Sequence, residues 1–237
     1  MPEQFAGKQI MSINVVNRTD DLVKLQHVLV SVSDKSGLDT FIPGLLDISP
    51  EVRIFSTGGT YGRIKEILGG AADTHLTQVS EYTGQPETQG GLVKTLDFKI
   101  YLGLLTETYN DSHQADLQRT AAVPIDMVVV NLYPFKQTIA QPGVTPEQAR
   151  GNIDIGGPCM IRAAAKNLLR VASVTDPQEY GNILSKLREN GGCTTLALRY
   201  RLARQAFAHT ASYDSAIADY LAKTTFEDVK PCYETAS

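Results

Sequence analysis

The stretch VLVSVSDKSGLDTFIPGLLDISPEVRIFSTGGT, residues 28–60, decides the fold. Val28-Leu29-Val30-Ser31-Val32-Ser33 is a short β-branched apolar run, the pattern of a buried strand. Ser33-Asp34-Lys35-Ser36-Gly37 reads as a strand-to-helix turn, and Leu38, Phe41, Leu45 and Leu46 then recur at helical spacing. Val52–Phe55 is a second strand that runs directly into Ser56-Thr57-Gly58-Gly59-Thr60, with Tyr61–Leu68 as the next helix. Two successive strand–turn–helix units predict an α/β fold, a parallel sheet flanked by helices. Ligands of such sheets bind beyond the carboxyl ends of the strands. Ser33, Lys35, Ser56, Thr57, Gly58 and Thr60 all fall there. Hydroxyls, glycine amides, helix N-termini and a lysine suit a phosphate monoester. A capped turn without a ligand accounts for Ser56–Thr60 equally well. Neither a Walker motif nor G-x-G-x-x-G is present, which disfavours a P-loop or a Rossmann site.

Further along, Asp126–Leu132 is the clearest buried strand, and Asn131-Leu132-Tyr133-Pro134-Phe135 lies at its carboxyl edge, where Pro134 stops the ladder. Tyr133 is either a rim aromatic or a phenol aimed into the cleft. Asn152–Asn167, NIDIGGPCMIRAAAKN, has the grammar of a loop that ends in a helix start. Asp154 precedes Gly156-Gly157, whose small size allows close approach to the free amides of the first turn. Arg162 and Lys166 share one helix face and lean back toward the N-terminus, so both are expected to reach the region around Asp154. The bland alternative is a capped core helix with both cations solvated. Thr145 is placed to cap a short helix, Val171–Val174 is a strand, Pro177–Leu187 a helix, and 195–221 a long helix packed over the sheet or against a second subunit. Residues 78–105 hold few regular signals; Val93–Leu96 reads as a short strand or turn, and Lys94 on sequence alone is a surface lysine. The expected organisation is an N-terminal extension over 1–26, one domain over 27–223 with a helical C-terminal layer, and a tail over 224–237.

Composition narrows the function. The chain has 237 residues, 42% hydrophobic, which is ample for one sizeable core. A net charge of −4 argues against a broad nucleic-acid-binding face. Cys159, Cys193 and Cys232 are odd in number and scattered, and the histidines lack ligand spacing, so neither disulfides nor a metal site is expected. A reducing cytoplasm fits that usage. No apolar run approaches membrane-spanning length.

Seven segments, taken together and in order, resemble the inosine monophosphate (IMP) cyclohydrolase family: Val30–Gly37, Ser56–Thr60, Val93–Leu96, Asn131–Phe135, Asn152–Gly157, Arg162–Asn167 and Phe207–Asp214. The turn at Ser56–Thr60 is shared with methylglyoxal synthase and with the regulatory domain of carbamoyl phosphate synthetase; NLYPF, NIDIGG and RAAAKN are specific. The resemblance implies a methylglyoxal-synthase-like fold and ring closure of 5-formamidoimidazole-4-carboxamide ribonucleotide (FAICAR) to IMP with loss of water, a cyclic amidine hydrolysis run in reverse. It implies Lys94, Tyr133, Asp154 and Lys166 as the catalytic set: Asp154 with Lys166 to orient and activate the amide, amides near Ile155–Gly157 for the oxyanion, and Lys94 with Tyr133 as a proton relay. Ser33, Lys35, Ser56, Thr57, Gly58 and Thr60, joined by Thr95, Asn131, Ile155, Gly156 and Gly157, would hold the nucleotide. No cofactor or metal is implied. The implied partners are the purine nucleotide, a second copy in a homodimer and a separate AICAR transformylase, because the family protein is usually bifunctional and this chain stops before its transformylase half.

One stretch departs from the family, which reads close to D-G-R-V-K-T-L-H-P-K-I-H-G-G. Here Leu92 replaces the arginine, Asp97 and Tyr101 replace histidines, Phe98 replaces the proline, and Leu168 follows Asn167 where histidine is common. Leucine offers no forked cation, and the loss of the histidines removes groups that can titrate near neutral pH. Three readings follow: a cyclohydrolase with a re-tuned pocket, a catalytically weakened purine-nucleotide-binding or regulatory module, and a methylglyoxal-synthase-like lyase, in which NLYPF and NIDIGG would have no task.

Overall fold

The computed structural model describes residues 15–85 and 94–235. Its first half runs β1 (Leu22–Lys24), β2 (His27–Val32), α1 (Leu38–Ile48), β3 (Arg53–Ser56), α2 (Gly58–Leu68), α3 (Ala72–His75), β4 (Leu76–Gln78) and α4 (Val79–Thr83). Then come α5 (Phe98–Leu105), α6 (Asp111–Thr120), β5 (Met127–Asn131), α7 (Phe135–Ile139), α8 (Pro146–Gly151) and α9 (Gly156–Lys166). The chain closes with β6 (Ala172–Val174), α10 (Tyr180–Glu189), β7 (Cys193–Thr195), α11 (Leu196–Lys223) and α12 (Phe226–Val229).

Five strands form one parallel sheet in the order β4-β3-β2-β5-β6. Both faces are covered, as a parallel sheet requires. Val28, Val30, Met127 and Val129 pack with α1, α2 and α10 on one face. Leu29, Val128 and Val130 pack with α5, α9 and α11 on the other. The alternation of faces along β2 and β5 therefore separates two cores, and it explains why these strands read as continuous apolar runs. At the foot of the sheet the buried Asp126 carboxylate accepts the amides of Gln26 and His27 at 2.9 and 2.8 Å and pairs with Arg170. Burial pushes this carboxyl up against the opposing pull of Arg170.

The 15–26 segment is more integrated than an extension suggests. β1 pairs antiparallel with β7, Leu22 opposite Thr195. Arg199, wholly buried on α11, ties this corner together. Its guanidinium donates to the carbonyls of Leu168, Leu169, Asp20, Asp21 and Thr194 at 2.6–3.1 Å. Burial lowers its pKa to about 10 against the pull of Asp21 and Asp20. The 224–235 segment is ordered too: Thr225 and Asp228 form a capping box, and the Tyr233 hydroxyl bonds Glu147 on α8.

Replacing Arg199 with methionine keeps the apolar stem but removes the donors of five buried or part-buried carbonyl bonds, so the urea midpoint should fall with a loss of about 3 kcal/mol or more. Hydrogen exchange should show residues 15–25 opening first. A midpoint equal to that of the parent would mean the guanidinium does not hold this corner.

Candidate active site

The connections from β2 and β5 leave toward opposite edges of the sheet, which opens a crevice at their carboxyl ends. A cavity of about 400 Å³ occupies it. Thirteen of the predicted site residues line it: Ser33, Lys35, Thr57, Gly58, Thr60, Lys94, Thr95, Asn131, Tyr133, Asp154, Ile155, Gly156 and Gly157. Ser56 and Lys166 do not.

One wall is built for an anion. Thr57 is extended and Gly58 takes the left-handed region at φ 48°, which starts α2 abruptly and without a side-chain cap. The first-turn amides of α2 thus face the cavity with the partial positive charge of the helix end. A methyl group on Gly58 would sit 3.1 Å from Lys94 Nζ, and one on Gly59 4.0 Å from Lys35 Nζ. Two ammonium groups from distant segments therefore converge on this helix terminus. The nearby hydroxyls divide by task. Ser31 Oγ and Thr57 Oγ1 bond each other at 3.1 Å and border the cavity. Thr60 Oγ1 accepts from Val32 N–H at 3.1 Å and donates to Val32 C=O at 3.0 Å, so it pins α2 to β2. Ser56, fully buried, donates to Val30 C=O at 2.7 Å and is a strand-to-strand tie, which corrects its expected place in the phosphate site.

The opposite wall carries the groups suited to proton transfer. Asp154 Oδ1 accepts the Gly157 amide at 2.9 Å, so a carboxylate caps the start of α9. Burial raises the Asp154 pKa; the amides of Gly157 and Tyr133 act in the opposite sense and offset it in part. Gly157 has no room for a side chain, since a Cβ would lie 2.6 Å from both Asp154 Oδ2 and Leu132 Cδ2. Gly157 N–H is thus engaged by Asp154, which removes it from the expected oxyanion donors. Thr95 Oγ1 stands 2.7 Å from where a Gly156 Cβ would be, and Tyr133, half exposed, borders the same space. Asn131 holds the crevice rather than offering a free amide: its Oδ1 accepts Ser33 and Asp34 N–H, and its Nδ2 donates to Asp34 C=O.

Lys166 is the largest correction. It is exposed at the last turn of α9, about 15 Å along the axis from Gly156, and does not border the cavity. Arg162 is exposed as well, its guanidinium over the Phe207 ring at 5.6 Å. The expected convergence of Asp154 and Lys166 on one space is absent within the single chain. The family departures also avoid the cavity where they are described. Asp97 is the N-cap of α5, accepting Lys99 N–H at 2.8 Å, Phe98 is exposed, and Tyr101 is half-buried with its hydroxyl near Cys159. Leu92 lies outside the described residues. Sequence reasoning missed Ser31, Gly59 and Met160 in the lining; alternation along β2 was the available signal for Ser31.

Two outcomes follow. Gly58→Ala forces alanine into a left-handed conformation and crowds Lys94, so binding of inorganic phosphate, read by calorimetry, should weaken about tenfold or more. Unchanged binding would remove the anion from this wall. For Asp154, the raised pKa means the folded state holds the proton more tightly, so its contribution favours folding at low pH and is lost as pH rises from the ordinary carboxylate value through the folded one. Asp154→Asn should therefore raise Tm at pH 8 and change it little at pH 4; equal shifts at both would contradict this.

Known proteins resemble the chain along most of its length. The MGS-like domain model matches residues 40–159, and the AICARFT/IMPCHase bienzyme model matches 164–236. The bifunctional purine biosynthesis protein PurH of Synechococcus sp. (strain CC9605) is 49% identical over 82% of this chain and 36% of its own length. PurH of Lactiplantibacillus plantarum is 46% identical over 86% of this chain and 38% of its own. The chain thus spans little more than a third of these relatives. The crystal structure of ForH superposes with a TM-score of 0.71 at 30% identity, covering 83% of this chain and 97% of that one. With its sheet, its crevice and both matches in agreement, the chain belongs to the MGS-like domain family, continued by a segment of the AICARFT/IMPCHase bienzyme family.

Proposed function

We propose that this chain is an IMP cyclohydrolase that closes FAICAR to IMP with loss of water. One observation carries the reading: a single cavity pairs an anion wall of two lysines and a helix N-terminus with a half-buried, amide-capped carboxylate. The 5′-phosphate is assigned to the amides of Gly58 and Gly59 with Lys35 and Lys94. That places the base and its two reacting arms toward Asp154 and Tyr133.

In ring closure the carboxamide nitrogen attacks the formyl carbon and one C–N bond forms. Charge develops on the formyl oxygen as a proton leaves the attacking nitrogen. The resulting carbinolamine then loses that oxygen as water, together with a proton from the other ring nitrogen. Asp154 is the base in this assignment, because desolvation makes its carboxylate a better proton acceptor than an exposed one. Thr95 Oγ1, the Gly156 amide and the Tyr133 phenol are the donors for the oxygen. Lys94, held over α2, neutralises phosphate here; the relay role implied by the resemblance requires it to swing away from Gly58. Lys166 enters only if a second copy carries it to the cavity, which the implied homodimer allows and its exposure permits.

The weakened-module reading rests on the altered 92–102 stretch. Because Asp97, Phe98 and Tyr101 serve or flank α5 and stay out of the cavity lining, they supply less support for lost chemistry than the sequence suggests.

The assay supplies purified protein with FAICAR and follows IMP. Turnover is expected, with Asp154→Asn reduced about 10²- to 10⁴-fold in kcat, and an acid limb in kcat that lies above the ordinary carboxylate range. No turnover above background, with calorimetric IMP binding intact, would select the module reading.

A further inference from the structure

The Asn152–Asp154 loop has no regular structure of its own, yet it must hold a desolvated carboxylate against the first turn of α9. A side chain from elsewhere in the chain does this. The Tyr213 hydroxyl, reaching down from α11, accepts the Asp154 backbone N–H at 2.8 Å and donates to the Asn152 carbonyl at 3.4 Å. It spans the two residues flanking Ile153, satisfying a donor and an acceptor that the turn leaves over. The ring is 8% exposed and meets Phe135 edge-on at 6.2 Å. Phe135 follows Tyr133 and Pro134, so the same ring also steadies the loop that carries Tyr133.

We infer that Tyr213 is a positioning residue that sets the Asp154 loop, and through Phe135 the Tyr133 loop, in the geometry the cavity needs. This rests on the assignment of Asp154 as base. The groups facing the two side chains are few. Asp154 shares the cavity with Lys35, Lys94 and Tyr133, and Tyr213 faces Asp154, Asp214 and Tyr133. Among the described residues no cation pairs with the Asp154 carboxylate, and its pKa is set by burial and by the Gly157 and Tyr133 amides. Burial also raises the Tyr213 pKa, so the phenol stays protonated and can donate while it accepts. Without the hydroxyl, the Asp154 amide turns to water and the loop opens, letting solvent reach the carboxylate.

The test uses Tyr213→Phe in the full chain, with the Asp154 carboxyl titrated by ¹³C NMR and assigned through Asp154→Asn. The Asp154 titration is expected to fall toward the ordinary carboxylate range, with its thermal midpoint kept within a few degrees. With FAICAR, kcat is expected to drop about tenfold, its acid limb to move to lower pH, and KM to stay within about twofold, since the anion wall is untouched. Phe135→Leu, which removes the ring contact and keeps the hydroxyl, should give a smaller movement in the same direction; it also serves if Tyr213→Phe does not fold. An Asp154 titration unchanged in either folded variant, or a loss of kcat with KM rising in step with lost stability, would overturn the inference. The NMR arm reads the positioning even if the parent shows no turnover, so failure of the proposed activity and failure of this inference are separable.

Discussion

The crevice depends on one amide. Asn131 ends β5 at the point where neighbouring strands diverge, and its side chain takes two backbone amides of the β2–α1 turn at 2.7 and 2.8 Å and returns a donor to the Asp34 carbonyl at 2.9 Å. Three side-chain hydrogen bonds carry the β2–β5 ladder, which ends at Val32 and Asn131, onward into the turn before α1. The anion wall grows from β2 and β3, the carboxylate wall from β5 and α9, and this contact fixes the distance between them. An aspartate there would accept but not donate, and a leucine would leave three polar groups without partners.

Above that joint, each wall solves the same problem differently. A helix start has amides without acceptors. At α2 they are left open to the cavity, backed by lysines from two remote segments; at α9 one is closed by Asp154. An uncapped terminus favours an anion, whereas a capped one fixes the capping carboxylate in a partly dry place. Polarity across a narrow cavity thus arises from whether a helix end is occupied.

Much of this was legible in the chain. Residues 28–60 encode two strand–turn–helix units, and the parallel sheet follows from them. Val128 and its neighbours, buried on both faces, could only be an inner strand. Most of the expected site residues do meet at one crevice, because sheet topology alone gathers the turns after β2, β3 and β5. What was not legible is whether a given hydroxyl is free. Ser56 and Thr60 look like phosphate ligands in sequence, and the backbone of the neighbouring strand β2 consumes them. Lys166 shows a second limit: helical lean moves a side chain by one turn, whereas Lys166 lies six residues beyond Met160, the last residue of α9 to line the cavity. β4, α6 and β1 escaped because they are short or polar and are ordered by neighbours rather than by their own periodicity. Tyr213 was placed on a helix, but its bond to a loop 59 residues away has no sequence signature.

The sheet's rims carry a further meaning. Both outermost strands, β4 and β6, contain three residues each. So short a rim presents too few open peptide groups to recruit a strand from a neighbouring molecule, a guard against fibrous growth. The broader faces are left to the helical flanks, where α11 extends for 28 residues and displays Tyr200 and Phe207 outward.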